Sequence, residues 1–232
     1  MYLRKGIKEM IKGAIFDMDG TLVDSLGFWG IIWSDIGRDH LGDKNFVPDE
    51  ELDKKVRTMI FTDAMLLVRD TYKIDCTDED FTSYATSKLG DFYREVVTVK
   101  EGCIEFLNHL KSLGIKMVLA SATDMKYVNI ALDCLGLRNY FDAVMSCSEI
   151  GIGKDRPDIY IKAMNSLSMT ADEVCIFEDS FVALETAKKI GICTVGVYDK
   201  YSFDQERLKR SSDIYLGCDT DMRELIGKVE RI

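Results

Sequence analysis

Short apolar segments alternate with amphipathic segments along most of the chain. The apolar runs have the length of buried strands, whereas the segments between them show helical spacing, and two of these end at a glycine, Gly114 or Gly191. Alternation of this kind predicts an α/β fold with a doubly wound, mostly parallel sheet and helices on both of its faces. The six predicted strands are residues 13–17, 116–120, 142–145, 173–177, 192–197 and 213–216.

One segment, residues 27–96, interrupts this alternation and contains no convincing strand. Helical spacing is present in residues 28–36, 49–72 and 77–93. Pro48 followed by acidic residues predicts a helix start, and Thr77 with an acid three residues later predicts a capping box. We therefore predict an α/β core formed by residues 1–26 and 97–232, with residues 27–96 as an all-helical insertion.

Polar side chains follow several predicted strands at the point where each strand ends. Asp17 and Asp19 follow the first strand, Ser121 follows the second, and Glu178 and Asp179 follow the fourth. Parallel strands bring their carboxyl ends to one edge of the sheet, where such folds bind ligands. Buried carboxylates are costly without compensation, and Mg2+ is a hard cation that prefers carboxylate oxygens. The strand ends therefore predict a Mg2+ site with room for a phosphate.

Composition narrows the classes of partner. The chain has 232 residues and a net charge of −10, which argues against a nucleic-acid partner but permits a small anionic substrate. No apolar run approaches the roughly 18 residues of a membrane helix, and residues 1–12 lack the apolar core of a signal peptide. Seven cysteines without Cys-x-x-Cys spacing predict free thiols in a reducing cytoplasm. The oligomeric state stays open, and a monomer is compatible with the sequence.

Four motifs in order carry a resemblance to a known family. They are Asp17-Met-Asp19-Gly-Thr21, Ala120-Ser121-Ala122-Thr123, Gly153-Lys154-Asp-Arg-Pro157-Asp158 and Phe177-Glu178-Asp179-Ser180. The chain thereby resembles the haloacid-dehalogenase-like hydrolase superfamily, in particular the helical-cap branch that contains sugar-phosphate phosphatases and β-phosphoglucomutases. The resemblance implies a Rossmann-like catalytic core, a helical cap formed by residues 27–96, and a Mg2+-dependent phosphoric monoester hydrolase acting on a small phosphorylated metabolite.

The resemblance also implies a role for each motif residue. Asp17 would be the nucleophile that forms an aspartyl-phosphate, and Asp19 would be the general acid and base. The implied metal ligands are Asp17, the Asp19 carbonyl, Glu178 and Asp179. The implied phosphate-binding residues are Thr21, Ser121, Ala122 and Lys154. One departure from the family pattern is Asp155, which stands where a proline often follows the lysine and which would weaken phosphate binding if it pointed inward.

Several alternatives remain open at this level. Glu178 and Asp179 alone could cap the helix that follows them. In the mutase a cap histidine lies twelve residues past the nucleophile, whereas this chain has Trp29 there, and the mutase's basic cap loop is not recognisable in residues 49–64. We therefore favour a phosphatase over a β-phosphoglucomutase, and both over a non-enzymatic phospho-ligand-binding regulator. Phe28 or Trp29 is the candidate to contact the leaving group, and Trp33 is expected in the core of the helical insertion.

Overall fold

The computed structural model describes residues 11–229, so most of the segment examined for a signal peptide lies outside the described residues. The described backbone forms two compact units, which divide after Leu26 and after Val96. One unit contains residues 11–26 and 97–229, and the other contains Gly27–Val96. The ends of the predicted core, residues 1–10 and 230–232, also fall outside the described range. That the second unit works as a cap stays a prediction.

The discontinuous unit is built on one six-stranded sheet. Its strands are β1 (Gly13–Phe16), β2 (Lys116–Ser121), β3 (Ala143–Ser146), β4 (Val174–Glu178), β5 (Cys193–Val197) and β6 (Ile214–Leu216). Their spatial order is β3-β2-β1-β4-β5-β6, and the described neighbours all pair in parallel. This confirms the predicted α/β class. The chain leaves β1 toward one side through β2 and returns to its other side at β4, and such a reversal opens a crevice at the carboxyl ends of the strands.

The unit formed by Gly27–Val96 is helical throughout its regular structure. It contains α1 (Phe28–Ile36), a π-helical turn at Gly37–Leu41, α2 (Glu50–Val56), α3 (Phe61–Tyr72) and α4 (Asp78–Glu95). Asp49 and Thr77 cap α2 and α4 by accepting from the amides of Leu52 and Asp80. The bond from the Asp80 amide is one half of the capping box predicted at Thr77, and the other half stays a prediction. The predicted helical segment 49–72 is two helices, because Ile60 is extended and starts α3 anew.

Helices cover both faces of the sheet, as predicted. Beyond the helical unit they are α5 (Cys103–Ser112), α6 (Met125–Cys134), α7 (Cys147–Ile150), α8 (Asp158–Leu167), α9 (Phe181–Lys189) and α10 (Gln205–Ser211). Successive strand residues point to opposite faces, so Ile15 packs in a cluster with α8 and α9 residues, whereas the Phe16 ring lies 6.2 Å from that of Phe106 on α5. Fully burying one such side chain contributes about 1.5–3 kcal/mol to the stability of the fold. The helices packed on the two faces of the sheet thereby fix the strand ends that carry the polar residues.

Across residues 11–229, the structure contains no helix with the length and apolarity that spanning a membrane requires.

Candidate active site

Three acidic side chains meet at the carboxyl edge of the two central strands. Asp17 directly follows β1, and Glu178 and Asp179 lie at the end of β4. The two strands pair in parallel with Phe16 opposite Phe177, which sets these residues side by side. One carboxylate oxygen from each acid lies within 4.8 Å of the other two, and all three side chains are buried. The structure thus brings together residues that are far apart in sequence.

Lys154 places its ammonium group among these acids. It donates to Asp17 Oδ1 and lies 2.8 Å from Glu178 Oε2, and only 9% of its side chain is exposed. Burial alone would lower the pKa of Lys154, but the charges of Asp17 and Glu178 outweigh it and hold that pKa well above its usual range. Asp155, the departure noted in the sequence, is exposed and does not belong to the buried cluster.

The electrostatics of the acids reflect their burial. Burial raises the pKa of Asp17 and of Glu178, and Lys154 opposes both shifts. The pKa of Asp179 is raised to about 7, first by burial and next by the charge of Asp17. Within the part of the chain that the structure describes, three buried acids share one buried lysine, so the cluster has an excess of negative charge when all three acids are ionised.

Asp19 stands apart from this cluster and is held by hydroxyl groups. Its Oδ1 accepts from Ser25 Oγ at 2.6 Å, and its Oδ2 accepts from Thr123 Oγ1 at 2.7 Å and from Ser121 Oγ at 3.5 Å. Asp19 is half-buried. A fixed carboxylate with access to solvent suits proton transfer, whereas metal binding through the Asp19 carbonyl stays a prediction. Sequence reasoning did not identify Ser25 or Thr123, although both lie inside or next to the recognised motifs.

Asp179 is enclosed by two contacts that the sequence did not indicate. Gly20 has a φ of 78°, and a Cβ there would lie 2.6 Å from Asp179 Oδ2, so the position favours glycine for both conformation and space. The hydroxyl of Ser202 donates to the same oxygen from the loop after β5. Extending the strand-end argument from β4 to β5 would have pointed to that loop.

The predicted phosphate-binding residues differ in their surroundings. Thr21 is fully buried, and its Oγ1 has no hydrogen-bond partner among residues 11–229. Ser121 is buried at the end of β2, and its Oγ accepts from the Thr123 amide at 3.0 Å. Ala122 is exposed beside it. Phosphate contacts by all four predicted residues remain predictions.

Tyr160 is a buried polar residue that sequence reasoning missed. It lies on α8 with no exposed surface, and its hydroxyl also lacks a hydrogen-bond partner within the described range. Burial raises its pKa well above the usual range, Lys154 opposes that shift, and Glu178 and Asp17 add to it. The phenol therefore lies close to the charged cluster. Its position shortly after Lys154 was the one available signal.

The donor set fits a magnesium ion. Mg2+ takes hard oxygen ligands and commonly binds through a few carboxylates while leaving positions for water and phosphate oxygens. The cluster of Asp17, Glu178 and Asp179 supplies three such groups, and a divalent cation would offset the cost of ionising them together, which is seen in the raised pKa of Asp179.

The two predicted substrate-contacting residues lie in the helical unit, where their environments differ. Phe28 is 5% exposed, and its ring centroid lies 5.1 Å from that of Phe92. Trp29 is half-buried, and the Arg57 guanidinium lies 5.4 Å from its ring centroid. Trp33 is buried, as its expected core role requires, and its Nε1 donates to Asp53. Of the two predicted residues, Trp29 is the more accessible.

Comparison with known proteins places this arrangement in a family. The family model described as haloacid dehalogenase-like hydrolase matches residues 11–191, which contain all four sequence motifs. The chain belongs to the haloacid dehalogenase-like hydrolase family. The predicted family and the prediction of a hydrolytic enzyme are thereby confirmed.

Two relatives are identical to the chain at about a quarter of the aligned residues. A phosphorylated carbohydrates phosphatase of Thermotoga maritima is 26% identical over 182 residues, covering 78% of this chain and 82% of the relative. The validoxylamine A 7'-phosphate phosphatase of Streptomyces hygroscopicus subsp. limoneus is 27% identical over 220 residues, covering 92% of this chain and 97% of the relative.

A solved structure shows the same fold at lower identity. The β-phosphoglucomutase of Clostridium difficile superimposes with a TM-score of 0.71 at 18% identity, over 95% of this chain and 97% of that protein. At this identity the likeness bears on the fold alone, so it does not decide between hydrolysis and phosphoryl transfer to a second hydroxyl.

Proposed function

We propose that this chain is a Mg2+-dependent phosphatase that hydrolyses a small phosphorylated metabolite of the sugar-phosphate class through an aspartyl-phosphate intermediate. The observation that carries the proposal is the buried cluster of Asp17, Glu178 and Asp179 around Lys154, in a member of a hydrolase family. A structural ion-pair network alone does not require three buried acids for one lysine, and burying them without function would only cost stability.

In the first step, an Asp17 carboxylate oxygen attacks the phosphorus atom and the bond to the leaving oxygen breaks. Asp19, oriented by Ser25 and Thr123, gives its proton to that oxygen and releases the alcohol. Lys154 stabilises the charge on the transferring oxygens, and the Thr21 and Ser121 hydroxyls and the Ala122 amide donate to them.

In the second step, a water molecule attacks the phosphorus atom of the aspartyl-phosphate. Asp19, now ionised, takes the proton of that water, and inorganic phosphate and the free Asp17 carboxylate result. Mg2+ held by Asp17, Glu178, Asp179 and the Asp19 carbonyl would offset the charge that otherwise keeps a carboxylate from approaching a phosphate anion. The same two aspartates thus serve both halves of the reaction.

The relatives support the substrate class, since their names state phosphatase activity on phosphorylated carbohydrates and on validoxylamine A 7'-phosphate. We assign the helical unit as a cap that selects the leaving group, with Trp29 as the residue that stacks on it. A cytoplasmic location is part of the proposal, because all seven cysteines, which lie within the described residues, are thiols.

The test is phosphate release from a panel of phosphorylated metabolites, with Mg2+ or EDTA, by the wild type and by Asp17→Asn. Loss of the nucleophile should lower turnover by at least about a thousandfold. Asp219→Asn changes an exposed aspartate in the same way and should retain wild-type activity. Metal-independent turnover, or turnover retained in Asp17→Asn, would refute the proposed mechanism.

The same panel separates the alternatives. With β-glucose 1-phosphate and a bisphosphate primer, formation of glucose 6-phosphate without phosphate release would identify a mutase. Absence of turnover on every compound, together with no labelling of Asp17 by an acyl phosphate donor, would favour a non-enzymatic regulator. Phosphate release that depends on Mg2+ and on Asp17 would establish the phosphatase and rank its substrates.

A further inference from the structure

The loop between β5 and α10 reaches the cluster of buried acids through one side chain. Ser202, which is half-buried, donates its hydroxyl proton to Asp179 Oδ2. The same oxygen lies close to Gly20, where an added Cβ would lie 2.6 Å from it. The Ser202 hydroxyl therefore holds a carboxylate oxygen that has little free space on its Gly20 side.

The loop itself is tied down by Asp199. Its carboxylate accepts from the Tyr201 amide at 2.9 Å, and its carbonyl accepts from the Ser202 amide at 3.1 Å and from Gln205 Nε2 at 2.8 Å. Asp199 is 4% exposed, so an unpaired charge at this position would be costly. These bonds set the position from which Ser202 reaches Asp179.

Lys100 supplies the charge that Asp199 needs. Its Nζ lies 2.8 Å from Asp199 Oδ2 and 3.0 Å from Asp24 Oδ1. The Lys100 amide donates to the Leu22 carbonyl at 2.9 Å, which attaches the lysine to the segment that follows Asp19 and Gly20. Lys100 therefore connects the loop that carries Ser202 with the loop that carries the first motif.

We propose that Ser202 is a positioning residue for Asp179, and that the Lys100–Asp199 ion pair holds Ser202 in the place from which it orients this carboxylate toward the metal. The inference rests on the proposed function, because it assumes that Asp179 is a metal ligand. Groups that hydrogen-bond a ligating carboxylate fix its orientation, and their loss commonly weakens metal binding by about 10- to 100-fold. Its hydroxyl bonds to Asp179 and not to the nucleophile Asp17, so its removal should act on metal affinity before it acts on the chemical step.

The experiment is a titration of the purified protein with Mn2+, in which free Mn2+ is followed by electron paramagnetic resonance. Ser202→Ala should raise the Mn2+ dissociation constant by about 10- to 100-fold, and Ser202→Thr, which keeps the hydroxyl, should stay within about threefold of the wild type. Ser166→Ala is the matched control, since among residues 11–229 that hydroxyl bonds only to the Ala163 carbonyl within α8. At saturating Mg2+, kcat of Ser202→Ala on an aryl phosphate should remain within about threefold of the wild type, so that the loss appears in the Mg2+ requirement.

A second variant tests whether the Lys100–Asp199 ion pair holds Ser202 in place. Asp199→Asn keeps the acceptors for the loop and removes the charge partner of Lys100, and it should weaken Mn2+ binding in the same direction but less than Ser202→Ala. Unchanged binding in this variant would overturn the anchoring role of the ion pair, and wild-type Mn2+ affinity in Ser202→Ala would overturn the role of Ser202.

Failure of the proposed function looks different in the same titration. A wild-type protein that binds no Mn2+ would remove the metal site and the inference together. Equal loss in Ser202→Ala and Ser202→Thr, with melting curves that match the wild type, would also count against the inference, because it would show an effect of size and not of the hydroxyl.

Discussion

The acids of the two compact units differ in how they are compensated. In the α/β unit, Asp17, Glu178 and Asp179 are buried and their pKa values are raised. In the helical unit, Asp39 lies near the surface between Arg38 and Tyr84, and chiefly the hydrogen bonds from Arg38 lower its pKa to about 2. The surface acid is charged because folding favours the charge. The three buried acids lie together although burial disfavours their charged forms. This pattern is expected of a functional site.

The largest loss of activity and stability is expected when the lysine shared by the buried acids is replaced. Lys154→Met should lower kcat/KM by about 100- to 1000-fold and the free energy of unfolding by about 3 kcal/mol at pH 7.5, because it leaves Asp17 and Glu178 without their cation. Urea unfolding and initial rates measure the two losses. Lys54→Met is the control in the helical unit, where solvent screens the exposed pair with Glu50 and the change should leave the urea midpoint and the initial rate close to those of the wild type. Equal losses in both variants would remove the contrast between the units.

The second prediction concerns pH. Asp179 has an ordinary pKa of 3.8 and a folded pKa of about 7, so the folded state binds more protons than the unfolded state between about pH 4 and 7. Its contribution to the free energy of unfolding therefore falls as pH rises through that window. Without divalent metal, Asp179→Asn should gain stability over the wild type by at least about 1 kcal/mol more at pH 7.5 than at pH 4.5. Denaturant unfolding in EDTA at both values decides this, and a difference that is independent of pH would contradict it.

A third prediction compares two tyrosines. The hydroxyl of Tyr160 is buried without a partner among the described residues, whereas that of Tyr84 donates to Asp39 at 2.9 Å. Tyr160→Phe should raise the free energy of unfolding of the ligand-free protein by about 1 kcal/mol, and Tyr84→Phe should lower it by about 0.5 kcal/mol. Thermal melts without phosphate measure both changes. Destabilisation by Tyr160→Phe would mean that this hydroxyl is already satisfied.

The smallest effect is expected at the surface acid. Asp39→Asn should lower the free energy of unfolding by no more than about 1 kcal/mol at neutral pH, because solvent screens an exposed pair. The folded pKa of about 2 lies below the ordinary 3.8, so this contribution is present above about pH 4 and is lost as pH falls toward 2. Its dependence on pH should therefore have the opposite sign to that of Asp179. A loss that persists at pH 2 would point to packing and not to charge.

Much of the architecture was predictable because it depends on local pattern. Apolar runs of strand length coincide with the six strands to within about a residue or two at each end, and Asp49 and Thr77 begin helices where capping chemistry favours it. The break between α2 and α3 was not predictable. Residues 57–60 contain neither proline nor glycine to mark a break, yet the backbone at Ile60 is extended and separates the two helices.

The sequence by itself determined the class of fold, the family and the acids of the site. Strand length, helical spacing and the motif residues are local properties, and they placed Asp17, Asp19 and Asp179 at strand ends before any distance was known. The tertiary structure alone decided which atoms meet: Ser202 against Asp179, and Lys154 against Asp17 and Glu178. These contacts join loops that the order of the strands brings together. A serine in a loop belongs to no periodic pattern, so the sequence does not reveal its role. That role becomes clear only when the folded structure shows which side chain the hydroxyl bonds.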